Sequence, residues 1–168
     1  MVKLLPKVSQ EKAQRFGYFY LLGDNGHTSM QFFTLLKGFM GKKLILYAED
    51  DQDDRFIFEN SFAQHRDEVD IQMFVDGLEI LNHLKTGSGL QPNLIVLDIN
   101  MPQLNGKDAL RNLRDIPAYA TTPVVLLTTS SSPLDQYFAQ RFNAGFITKP
   151  MDEIEMDRIT KELLKFCK

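Results

Sequence analysis

From residue 43 onward, short apolar runs and stretches of helical periodicity alternate along the chain. That alternation limits the available folds more than any other feature. The strand-like runs are Lys43–Ala48 (KLILYA), 70–74 (DIQMF), 93–97 (NLIVL), 123–128 (PVVLLT) and Gly145–Thr148 (GFIT). The third and fourth are continuously apolar, as strands covered by helices on both faces must be, because neither side turns to water. Between the runs the spacing changes to that of helices. Asp53 and Asp54 suit an N-cap and first turn ahead of Phe56, Ile57 and Phe62. Gly77–Lys85 spaces Leu78, Leu81 and Leu84 by three, and residues 105–115 gather Ala109, Leu110 and Leu113. Residues 134–142 set Leu134, Phe138 and Phe142 at spacing four, and residues 152–166 align Met156, Ile159 and Leu163. This last helix has Asp152, Glu153 and Glu155 at its start and Lys165 near its end, which matches the helix dipole. Successive β–α units predict a parallel sheet with right-handed crossovers. A closed eightfold barrel needs roughly 250 residues, and this chain has 168. The expectation is an α/β fold: a flavodoxin-like, doubly wound, five-stranded parallel sheet in the order 2-1-3-4-5 with five helices.

Charge divides the chain where the pattern begins. The net charge of −3 combines residues 1–43, with seven Lys/Arg and two Asp/Glu, and residues 44–168, with twelve and twenty. A segment of net charge −8 offers no basic patch for nucleic acid. The single cysteine, Cys167, excludes an intramolecular disulfide framework and a multi-cysteine metal site. His27, His65 and His83 show no ligand or catalytic spacing. The apolar stretch at residues 16–23 is interrupted and too short to span a bilayer, so no transmembrane segment and a cytoplasmic location are expected. Residues 1–42 stand outside the alternation and are expected to form a loosely ordered or accessory N-terminal extension. Residues 30–40 within it could form a short amphipathic helix, and the competing readings are a basic, aromatic membrane-surface or partner-docking segment and an extra helix packed on the domain.

In a doubly wound sheet the chemistry collects at the carboxyl ends of the strands, where strand order reverses. Strand one ends in Glu49-Asp50-Asp51, strand three in Asp98, strand four in Thr128-Thr129-Ser130, and strand five in Lys149-Pro150. With strands one and three adjacent, Glu49, Asp50 and Asp98 converge beside a hydroxyl and an amine. Carboxylates this close raise one another's pKa unless a cation compensates. An all-oxygen set with room for water suits Mg2+. With a metal in place, one carboxylate can attack a phosphoryl group while Lys149 and Thr128 meet its oxygens.

Residues 43–168 resemble the receiver domain of two-component response regulators, of the chemotaxis-regulator-like, stand-alone kind. The motifs are ILYAEDD (45–51), PNLIVLDINMPQLNG (92–106), PVVLLTTS (123–130) and GFITKP (145–150), in order and correctly spaced. The resemblance implies that Asp98 is the phosphoacceptor. It implies that Glu49 and Asp50 are the acidic pair, with Asp50 a direct ligand of Mg2+ (or Mn2+) and Glu49 acting largely through water. Asn100 would ligate through its backbone carbonyl. Thr128 would be the switch hydroxyl and Phe146 the switch aromatic. Lys149 would be the conserved-type lysine, with Pro150 a cis-proline candidate. Asn100 and Ser130 would tune hydrolysis. Phe146 lacks the hydroxyl that a tyrosine presents there. Asp51 reads as a solvated turn residue with a helix-capping role, Asp53 and Asp54 as helix-start acids, and Tyr47 as ordinary strand variation.

The implied function is Mg-dependent transfer of a phosphoryl group from a histidine kinase or phosphotransfer protein, switching a surface that docks a downstream protein. A phosphorylation-dependent dimer is compatible with this. Catalysis is limited to the domain's own phosphorylation and dephosphorylation. Because the sequence ends with the fifth helix, a stand-alone receiver is expected. An aspartate-nucleophile phosphatase would need a second aspartate where Asn100 stands. A flavin domain would need a phosphate cradle where Glu49-Asp50-Asp51 repels phosphate. A calcium loop would need a glycine and a distal glutamate absent after Asp51. The remaining rival is a phosphorylation-independent interaction module of the same fold.

Overall fold

Five parallel strands form one sheet in the computed structural model, which describes residues 41–86, 90–150 and 153–167. The strands are β1 (Lys43–Ala48), β2 (Val69–Phe74), β3 (Leu94–Leu97), β4 (Val124–Thr128) and β5 (Gly145–Thr148), and they lie in the order β2-β1-β3-β4-β5. The helices are α1 (Gln52–Ser61), α2 (Gly77–Lys85), α3 (Gly106–Asp115), α4 (Pro133–Arg141) and α5 (Glu153–Phe166), with a short 3-10 turn at Ala63–His65. This is the flavodoxin-like arrangement the alternation predicts. The expected extension lies, up to residue 40, outside the described residues, as does Asp152.

Strand parity sorts the core into two layers, because successive side chains of a strand point to opposite faces. Leu44, Leu46, Ala48, Ile95, Leu97, Val124 and Leu126 pack with Ile80, Leu81 and Leu84 of α2, Leu110 and Leu113 of α3, and Ala139 of α4. Ile45, Tyr47, Leu94, Val96, Val125 and Leu127 pack with Phe58 of α1 and with Met156, Ile159 and Leu163 of α5. Tyr47 stacks on Phe58 with ring centroids 3.9 Å apart. Each fully buried aliphatic side chain contributes about 1.5–3 kcal/mol, so both layers are needed to fix the sheet between its helices.

The helices dock differently from the simplest periodic reading in three places. In α2 the buried face runs through Gly77, Ile80, Leu81 and Leu84. Leu78 stands about 100° round the axis from Gly77 and is exposed. In α4 the contact runs through Ala139 and the partly buried Phe138 and Phe142, whereas Leu134 remains 79% exposed. In α1 the buried positions are Phe58 and then Phe62, while Phe56 and Ile57 face outward. Asp51, not Asp53 or Asp54, is the N-cap of α1, and its carboxylate accepts the backbone N–H groups of Asp53 and Asp54. Those two bonds hold the Asp51 carboxyl below its usual pKa.

Candidate functional site

The register of the sheet brings the expected residues together. Ala48 pairs with Leu97 across β1 and β3. The Asp98 N–H then donates to the Ala48 carbonyl at 3.0 Å, and the Glu49 N–H to the Phe74 carbonyl at 3.0 Å. Glu49 and Asp98 thus leave adjacent strands side by side. At the other edge Thr128 pairs with Thr148, and the Lys149 N–H donates to the Thr128 carbonyl at 2.8 Å. Helix α3 begins hard against Asp98. A Cβ at Gly106 would lie 2.0 Å from the Asp98 carbonyl oxygen, so this position tolerates only glycine without movement of the backbone.

Lys149 spans the crevice. Its ammonium lies 2.6 Å from Glu49 Oε2, 2.7 Å from Asp54 Oδ2 and 3.1 Å from Asp98 Oδ1. Burial alone would lower the ammonium's pKa, but hydrogen bonds to Asp54 and Glu49 and the nearby Asp98 charge outweigh it, and the net shift is upward. Burial pushes the Glu49 carboxyl up, against the opposing pull of Lys149. Glu49 Oε2 also accepts the Tyr47 hydroxyl at 2.9 Å. Burial, followed by the charge of Glu49, raises the Tyr47 phenol in turn. Arg55 closes the β1–α1 connection by donating to the carbonyls of Glu49 at 2.5 Å and Asp50 at 3.0 Å. On Asp98, Oδ2 accepts the Asn100 N–H at 2.5 Å, which folds the chain back over the carboxylate.

Thr128 is fully buried, and its hydroxyl oxygen accepts the Ser130 N–H at 3.1 Å. Phe146 is partly buried against the layer formed with α2, α3 and α4. The Lys149–Pro150 bond is trans, contrary to the cis expectation, and no cis peptide occurs among the described residues. Trans is the lower-energy isomer of an X–Pro bond by about 0.5–1 kcal/mol, and with it Lys149 already reaches all three carboxylates.

Glu49, Asp50 and Asp98 can each present an oxygen within 4.8 Å of the others. One ion retaining some water could reach all three, and the all-oxygen donor set fits a hard divalent cation. The Lys149 ammonium faces three carboxylates with Asp50 beside them, so the crevice keeps negative charge for such an ion to offset. No helix among the described residues is long and apolar enough to cross a membrane.

Three residues of this site were not assigned to it by sequence reasoning. Tyr47 stands two before Glu49, the spacing that puts two strand side chains on one face, and that signal was available. Asp54 meets a lysine 95 residues away, and Arg55 meets carbonyls; no local pattern marks either.

Residues 45–161 match the family described as response regulator receiver domain. The response regulator Rcp1 of Synechocystis sp. is 30% identical over 129 residues, 74% of this chain and 88% of that protein. A crystal structure of the Mn(2+)-bound form of Rcp1 is similar with a TM-score of 0.67 at 25% identity, over 74% of this chain and 93% of that one. The phosphorylated cyanobacterial phytochrome response regulator RcpA gives a TM-score of 0.70 at 25% identity, over 75% and 94%. An uncharacterized 14.6 kDa protein of Leptolyngbya boryana is 33% identical over 73 residues, which is 55% of its own length.

Proposed function

This chain belongs to the response regulator receiver domain family, and on that premise we propose that Asp98 accepts a phosphoryl group from a phosphohistidine donor in a Mg2+-dependent (or Mn2+-dependent) step. The observation that carries this reading is the convergence of Lys149 on Glu49 and Asp98 at the carboxyl edge of the sheet, 2.6 Å and 3.1 Å from their oxygens. Glu49, Asp50, Asp98 and the backbone carbonyl of Asn100 would hold the ion. A divalent ion bound there supplies charge neutralisation for the phosphoryl oxygens.

An Asp98 carboxylate oxygen forms a P–O bond as the P–N bond to the donor imidazole breaks, and the imidazole leaves with that electron pair. Lys149 turns from Glu49 toward a phosphoryl oxygen, while Asp54 keeps it on this side of the crevice. The Thr128 hydroxyl donates to another phosphoryl oxygen, and Phe146 fills the space that Thr128 vacates. This is a population shift whose extent equals the difference in phosphoryl affinity between the two arrangements. Return is by attack of water on phosphorus, which Asn100 and Ser130 flank. Both are small and neutral, so the aspartyl phosphate is exposed to hydrolysis.

Receiver domains take phosphoryl groups from histidine kinases and act on downstream targets. On this reading the chain accepts from a histidine kinase or a phosphotransfer protein in the cytoplasm. Its output is protein docking, with a phosphorylation-dependent dimer as one form, and its only catalysis is on itself. Residues 1–42 act as an accessory extension to the receiver at 43–168. Incubation with acetyl phosphate and Mg2+ is expected to add about 80 Da, a gain lost in Asp98→Asn and on chelation of the metal. No mass gain in the wild-type protein would leave the phosphorylation-independent module as the reading.

A further inference from the structure

We infer that Asp135, in the first turn of α4, is a positioning residue for the Thr128 hydroxyl, acting through Ser130 and anchored by Lys107; the inference rests on the receiver reading above. The polar groups of Ser130 are committed in two directions. Its N–H donates to Thr128 Oγ1 at 3.1 Å, and its hydroxyl donates to Asp135 Oδ2 at 3.0 Å while accepting the Ser132 N–H at 3.2 Å. The other Asp135 oxygen takes the Lys107 ammonium at 2.8 Å. Asp135 is 13% exposed and Lys107 35%, so this ion pair is only partly open to solvent. The hydrogen bond from Lys107 draws the Asp135 carboxyl below its usual pKa, which keeps it an acceptor for both partners.

Lys107 extends from the first turn of α3, and its neighbour Gly106 packs against the Asp98 carbonyl with its N–H on the Ile99 carbonyl at 3.1 Å. A continuous path therefore runs from the backbone of Asp98 through the start of α3, the Lys107–Asp135 pair and Ser130 to the Thr128 hydroxyl. It works as a strut across the crevice, in addition to the β3–β4 pairing. Helix α4 gives up a local bond for it. Its N-cap, Ser132, makes no side-chain cap bond, and the acid at the third helical position, from which a glutamate commonly reaches back to the N-cap backbone, is turned toward Ser130 instead. The strut holds the β4–α4 connection that carries Ser130, so the Thr128 hydroxyl swings toward a phosphoryl oxygen from an ordered support, whereas a loose connection must be ordered on binding.

The test measures affinity for beryllofluoride, a phosphoryl analogue, in the presence of Mg2+. Asp135→Ala is expected to weaken binding by roughly three- to tenfold, in the lower part of the range of coupling between residues that share a hydrogen-bond network. In a Thr128→Ala background the same substitution is expected to change nothing further, because the residue it positions is gone. Asp135→Asn retains an acceptor for Ser130 and loses the charge facing Lys107; it should give a smaller loss in the same direction, and it serves if Asp135→Ala is unfolded at the assay temperature. Unchanged affinity in both variants, or an equal loss with and without Thr128, overturns the inference. Wild-type protein that binds no beryllofluoride brings down the receiver reading and this inference with it. Normal wild-type binding with insensitive variants brings down this inference alone.

Discussion

At the scale of single residues, the site depends on how one buried carboxylate is satisfied. Glu49 is 1% exposed, and its Oε2 receives both the Tyr47 hydroxyl and the Lys149 ammonium. A buried charge without enough donors is costly, and a hydrogen bond to a charged group is worth about 1.5–3 kcal/mol net. Tyr47→Phe keeps the ring stacked on Phe58 and removes only the hydroxyl. It is expected to lower stability by about that amount at neutral pH, read as the midpoint of urea unfolding. An unchanged midpoint would show that Lys149 and the Asp51 N–H, which meets the other Glu49 oxygen at 3.2 Å, satisfy Glu49 without the hydroxyl. Asp98, Thr128 and Lys149 were legible in the sequence because each closes an apolar run, and a strand end in a doubly wound sheet is where chemistry gathers. The part played by Tyr47 was less so, since an aromatic in a strand reads as core whether or not its hydroxyl has a task. Its ring does pack in the core. Only the polar tip belongs to the site, which is usual for amphipathic aromatics.

Among the elements, the start of α3 sets how closely a helix may approach Asp98. Gly77 shows the same kind of constraint at the start of α2, where a Cβ would lie 2.5 Å from the Leu104 carbonyl oxygen. At Gly106 the obstruction is the backbone of Asp98 itself, which has no flexible end to move aside. Gly106→Ala must therefore push α3 away or displace the loop that carries Asp98. The expected cost is about 2–4 kcal/mol in unfolding free energy, with slower phosphorylation of Asp98 by acetyl phosphate. Unfolding and phosphorylation both at wild-type levels would mean that the contact relaxes freely. Periodicity located the five strands and five α-helices of the described residues, though not the 3-10 turn at Ala63–His65, because burial on two faces leaves a strong pattern. It placed Leu78 and Leu134 on buried faces wrongly. Spacing fixes which residues share a helix face; where the helix sits on the sheet decides whether that face is covered. Three acids in four residues offered several caps for α1, Asp51 among them, and the end of β1 selects Asp51.

For the whole molecule, the strand order followed from the succession of elements, whereas the cross-links that tune the site did not. Lys149 and Asp54 are 95 residues apart, and Lys107 and Asp135 are 28 apart. Such pairings exist only once the sheet has placed its ends. What the fold as a whole achieves is a concentration of negative charge, because residues 44–168 carry a net −8 and three carboxylates lie around one ammonium with Asp50 beside them. That concentration opposes folding and favours a divalent ion. Asp50 separates the two effects. It is exposed, and Arg55 holds it by its backbone carbonyl, so its carboxylate charge can be removed without breaking that bond. Asp50→Asn is expected to keep or raise the melting temperature in EDTA, since one repelling charge is gone. In the wild-type protein, Mg2+ should raise the melting temperature by mass action, equivalent to about 2.7 kcal/mol at a hundredfold excess over the dissociation constant. Most of that rise should disappear in Asp50→Asn, because a neutral amide replaces one of the three carboxylates that can meet at the ion. A variant that falls several degrees in EDTA would make Asp50 a structural residue. One that keeps the full response to Mg2+ would take it out of the metal site. The combination of a steadier metal-free fold and a lost response would show that the acidic crevice is maintained for the ion at the expense of stability.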